Sequence, residues 1–175
     1  IKTFKQNGEV YLMIKKLFIT LLLFFFVTTN VFSAGSSDSG SSKTKTNYDK
    51  AVSHINLAKK YEKKGNTDKA NKKYKKALKL LVKSNLSKPN NADTLNYLGF
   101  TTRKLGDFLN GEKYYLEGLA LEPEHIGINE YLGELYVATN RINLAKERLK
   151  VLEKCNCEEY DDLKKIIAGT KESKY

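Results

Sequence analysis

The side chains best equipped for chemistry in this chain are Cys155 and Cys157, the two histidines His54 and His125, and the acids Glu158, Glu159, Asp161 and Asp162. One residue separates the cysteines. In an oxidising compartment such a pair favours a disulfide, and a bridge across a single residue is geometrically tight. Three uses stay open for it: a small structural clasp, a redox-labile pair, or two thiols that bridge other chains. Two thiolates alone bind metal poorly. Neither histidine has a nucleophile or a carboxylate pair at motif spacing, and there is no glycine-rich phosphate loop, GxSxG or HExxH. The acidic cluster could draw a cation, but it falls where a helix N-terminus would favour negative charge. The expectation is a protein without catalytic residues, cofactor or metal.

The elements that would carry these residues follow from length and composition. The chain has 175 residues, 41% of them hydrophobic, with 31 Lys plus Arg against 20 Asp plus Glu, a net charge of +11. That is one modest domain with appendages, too rich in apolar residues for a disordered tail and too charged for a multispan membrane protein. Residues 13–34 read MIKKLFITLLLFFFVTTNVFSA, two lysines before an apolar run and small residues after it. This is the layout of a cleaved secretory signal over 13–33, the run being shorter than the roughly 20 residues of a membrane span. Val31 and Ser33 suit a cut after Ser33, which implies a periplasmic or secreted protein. No cysteine follows the run, against a lipid anchor. Residues 1–12 hide the charged start of this signal and read as an upstream extension that is not native. Residues 34–46, AGSSDSGSSKTKT, form a Ser/Gly-rich flexible linker with a reach of about 20 Å.

Beyond the linker a repeat sets the organisation. The chain's two prolines, Pro89 and Pro123, lie 34 residues apart, and a fixed period of that size means stacked repeats. With Ala92 as position 1, Leu95, Leu98 and Gly99 stand at positions 4, 7 and 8, Gly106 at 15, Gly111 at 20, Tyr115 at 24 and Gly118 at 27. The unit from Ala51 aligns in phase through Leu57, Ala58, Tyr61, Gly65, Ala70, Tyr74 and Ala77. So does the unit from Ile126, through Leu132, Gly133, Tyr136, Asn140, Ala145, Leu149 and Leu152. Each unit therefore reads as two amphipathic helices around a breaker. Small residues at positions 8 and 20 let the helix backbones approach. Position 15 holds Gly65, Gly106 and Asn140, types that accept a left-handed backbone after a helix, and Asn66 and Asp107 follow as caps. Pro89 comes seven residues late, about two helical turns, so the second helix of the first unit is predicted to run on to about Ser87. Thr102, Asn129 and Cys157 depart from the pattern at positions 11, 4 and 32. Glu158 to Ala168 forms a final amphipathic helix with acids first, lysines later and Gly169 beyond, suited to covering the end of the stack.

This pattern resembles the tetratricopeptide repeat, and the chain as a whole resembles exported bacterial proteins of that family. The resemblance implies an all-α, right-handed superhelical solenoid of about three antiparallel helix pairs plus a capping helix over 47–168. Its units are 51–91, 92–125 and 126–157, the cap is 158–168, and 169–175 is a disordered tail. It also implies a concave groove that binds a peptide or protein partner through positions 2, 5, 9 and 12 of the first helices. Those positions hold Val52, Ile55, Lys59 and Glu62, then Asp93, Asn96, Phe100 and Arg103, then Gly127, Glu130, Glu134 and Val137. Asn96 and Arg103 would bond a peptide backbone or carboxylate, Phe100 would give an apolar contact, and Glu130 with Glu134 would take a basic group.

Charge divides the chain unevenly. Residues 34–91 hold 15 lysines against 4 acids, a net +11, whereas 92–175 hold 12 basic against 15 acidic residues, a net −3. On the second helix of the first unit, Lys72, Lys76, Lys79 and Lys83 line the side away from Ala70, Tyr74, Ala77 and Leu81. This basic face is an alternative binding surface, for an anionic membrane touched peripherally or an acidic polymer. Nucleic acid is disfavoured, because export removes it and lysines without arginine or stacking aromatics attract it only nonspecifically.

Overall fold

The computed structural model describes residues 44–173. The expectations for 1–12, for the signal at 13–33, for most of the linker and for the last two residues of the tail lie outside the described residues. Among the described residues seven helices follow in order: α1 (Asn47–Glu62), α2 (Thr67–Ser87), α3 (Ala92–Lys104), α4 (Phe108–Leu121), α5 (Ile126–Ala138), α6 (Ile142–Leu152) and α7 (Glu158–Ile167). Among the described residues there is no strand. The helices pack as the pairs α1·α2, α3·α4 and α5·α6, with α7 against α5 and α6.

Local chemistry sets the boundaries. Thr46, at the end of the Ser/Gly-rich stretch, opens α1 with a capping box: its hydroxyl accepts from the Asp49 N–H at 3.1 Å, and its own N–H donates to Asp49 Oδ2 at 2.9 Å. Asn66, Asn91 and Asp107 cap α2, α3 and α4 through side-chain oxygens that accept backbone N–H bonds three residues on. Gly65, Gly106 and Asn140 adopt φ of 70°, 93° and 57°, the left-handed turns between the helices of each pair. The long second helix of the first unit does end at Ser87.

The repeat positions become the core. Leu95, Leu98, Leu132 and Tyr136 from first helices, and Tyr74, Ala77, Tyr115 and Leu152 from second helices, are all buried, each large apolar side chain contributing about 1.5–3 kcal/mol. The small residues do what their spacing requires. A Cβ on Gly99 would lie 2.5 Å from the Tyr115 ring, and one on Gly133 would lie 2.5 Å from Leu163, where α7 covers the last pair. Asn129, the departure at position 4, is fully buried and satisfied: its amide donates to the carbonyls of Pro123 and His125, both at 3.0 Å, and its oxygen accepts from Arg148 at 3.3 Å. Cys157 stands just before α7 without a side-chain cap, and Glu158, Glu159 and Asp161 in the first turn favour that helix end by charge instead.

Candidate binding groove

The first helices α1, α3 and α5 form the inner wall, and the structure changes which of their residues meet solvent. Asn96, Phe100, Arg103, Glu130 and Glu134, expected as open groove contacts, are all buried. The central helix α3 sits between its neighbours and buries ten residues, Asp93 and Tyr97 being among those it does not. Its inward side chains reach the next repeat. Arg103 donates to the Tyr131 carbonyl at 2.6 Å and to Glu134 Oε2 at 3.2 Å, with both charged side chains shielded from solvent. Phe100 packs against the rings of Tyr74 and Tyr131, with centroids 5.9 and 5.2 Å away. These residues tie the repeats together.

The open part of the groove lies toward the C-terminal end of α1. A cavity of about 700 Å³ is lined by Lys59, Glu62, Lys63, Phe100 and Glu172. Lys59 Nζ stands 4.6 Å from the centre of the Phe100 ring, a cation–π contact that places its charge over the apolar floor. Glu62 accepts from the Tyr74 hydroxyl at 2.9 Å and pairs with Lys104 at 2.6 Å. Burial, helped by that hydrogen bond to Glu62, raises the Tyr74 phenol and keeps it a donor. With Glu62 thus engaged, Lys59 and Lys63 dominate the wall supplied by α1. Position 9 pointed to Lys59 in the sequence, but Lys63 and Tyr131 follow from no repeat position used to define the groove. A second cavity, about 380 Å³, opens at the other end of α1 among Tyr48, Ser84, Asn91, Asp93 and Thr94.

The remaining candidates are widely placed. Lys72, Lys76, Lys79 and Lys83 are all exposed on α2, and Val82 and Leu86 beside them are 40% and 79% exposed. Cys155 and Cys157 are joined in a disulfide, with Cα atoms 5.2 Å apart, in the turn before α7. The spacing rules overlooked one pairing: His125 Nε2 lies 3.2 Å from Asp93 Oδ1 across the boundary between two units. His125 Nδ1 accepts the Ile128 N–H at 3.2 Å, so the ring caps α5 and its remaining N–H points to Asp93. That makes it a clip between α3 and α5. Among the described residues no group of three or more His, Cys, Asp or Glu is arranged to hold a metal, and no helix is long and apolar enough to cross a membrane.

Known structures share this arrangement. The chain is similar to the first tetratricopeptide-repeat domain of Spaghetti (RPAP3) solved with the HSP90 peptide SRMEEVD, at 21% identity and a TM-score of 0.51 over 71% of this chain and 94% of that one. It is similar also to the first such domain of human RPAP3, at 20% identity and a TM-score of 0.52 over 69% of this chain and 91% of that one. The fold is therefore that of a tetratricopeptide-repeat domain. The sequence matches no protein-family model and no curated protein.

Proposed function

We propose that this chain is a non-enzymatic interaction module, exported to the periplasm, that holds a peptide or protein partner in the concave groove over Phe100. The observation that carries this reading is the cavity of about 700 Å³ with an aromatic floor and the Lys59 and Lys63 ammonium groups on its wall. The fold supports it, since one structural neighbour was solved with a peptide bound. The chemistry of the wall favours an extended segment with an apolar side chain for the floor and a carboxylate for the lysines. Export rests on the layout of residues 13–33, and mass spectrometry of secreted protein beginning at Ala34 is its check.

The groove residues set the test. Alanine at Phe100 or Arg103 would disturb the packing between repeats, so a binding variant must change residues on the rim. Lys59→Glu with Lys63→Glu is expected to lower capture of the partner at least tenfold, about 1.4 kcal/mol, while leaving the far-ultraviolet spectrum unchanged. Capture that is unaltered would remove the groove as the binding surface. A second reading, peripheral attachment to an anionic surface, is favoured by the exposed lysine row on α2 with Val82 and Leu86 beside it. Salt separates the two. Attraction through exposed lysines fades as the screening length falls to about 3 Å at 1 M, whereas a seated peptide survives.

A further inference from the structure

We infer that the α5 and α7 side of the groove already has an occupant, the chain's own segment Gly169–Ser173, which docks in cis across the inner wall and borders the open cavity. The turn after α7 starts it. Gly169 adopts φ of 71°, its N–H bonds the Ile166 carbonyl at 3.1 Å, and the Thr170 N–H bonds the Lys165 carbonyl at 2.9 Å. These two bonds form a Schellman motif, which reverses the chain at the helix end. The Thr170 hydroxyl adds a third bond to the Lys165 carbonyl at 3.1 Å. The reversal sends the chain back over α7 and α5, where Lys171 pairs with the buried Asp162 and the Ser173 hydroxyl donates to Glu134 Oε2 at 3.2 Å. Between them Glu172 lines the same cavity as Lys59, Lys63 and Phe100.

Charge complementarity argues for this occupant. The segment carries a cation to the acid on α7, a hydroxyl to the acid on α5, and a carboxylate to the wall where α1 is basic. A segment expected to be a disordered tail is instead held at successive points as far as Ser173. Because it is tethered, it acts at a high effective concentration, and a partner that extends past the open cavity toward α5 and α7 must displace it. That consequence rests on the groove reading above, whereas the docking itself does not.

Amine labelling decides the matter without a known partner. The full chain and a chain ending at Thr170, which keeps α7 and its Schellman turn, are treated with an amine-acetylating reagent and followed by mass spectrometry. Lys59, half-buried with the segment in place, is expected to react about tenfold more slowly in the full chain, the protection given by a segment docked nine-tenths of the time, whereas Lys63, exposed even beside the docked segment, and Lys72 and Lys76 are expected to react equally in both. Glu172→Lys in the full chain is expected to raise the Lys59 rate to that of the shortened chain. Equal rates at Lys59 in all three proteins would overturn the docking. If the segment protects Lys59 yet its removal leaves partner capture unchanged, the docking stands and the groove is not the partner's surface.

Discussion

Arg103 and Glu134 show how a residue read as a ligand contact can be a structural tie. Both side chains are fully shielded, and the pair joins α3 to α5 while Arg103 also holds the Tyr131 carbonyl. Removing one charge strands the other in a poorly solvating interior, which costs about 3–5 kcal/mol, whereas replacing both with apolar residues of similar size is far less costly. Glu134→Gln is therefore expected to lower stability in urea unfolding by about 3 kcal/mol, and Arg103→Met with Glu134→Leu by clearly less. A double variant as unstable as the sum of the single changes would show that the pair is not a coupled unit. Gly99 makes a second case at the same scale. Alanine there gains about 1 kcal/mol of helix propensity, but its Cβ would lie 2.5 Å from a ring that is itself fully buried. Overpacking costs about 1–3 kcal/mol, so the net expectation is a loss, read as a lower melting temperature.

Among the elements, helix starts are the most local features and the easiest to test. Asp107 opens α4, and hydrogen bonds from the Asn110 side chain and backbone hold its carboxyl below the ordinary value of 3.8. A carboxyl depressed in the folded state contributes stability that is present above its unfolded value and is lost as pH falls through its folded one. The melting temperature of the natural chain is expected to exceed that of Asp107→Asn at neutral pH, and the gap to shrink as pH falls below 3.8. A gap that stays constant through this range would mean the charge contributes nothing at the cap. The helix ends were legible because caps and left-handed turns depend on a few adjacent residues: Asn66, Gly106 and Asn140 each declare their conformation by type. The return of the chain after α7 was half legible, since Gly169 announced the stop but nothing local gave the direction of what followed.

For the whole molecule, the uneven charge becomes a surface with a position. Lys72, Lys76, Lys79 and Lys83 are exposed along α2, away from the groove wall made by α1, α3 and α5. Reversing all four to glutamate is expected to abolish sedimentation with phosphatidylglycerol vesicles at low salt and to leave groove binding intact; vesicle binding that persists would leave the lysine row without that role. The sequence by itself determined the helix pairs, their phase, the small residues at the crossings and the two charged halves, because periodicity and composition survive without knowledge of neighbours. Only the tertiary structure decided which inward positions remain open. Position 9 is a half-buried lysine in α1 but a buried phenylalanine in α3, since α3 has described first helices packed on both of its sides. The same stacking brought Glu134 and Asp162, distant in the chain, under the segment that follows α7.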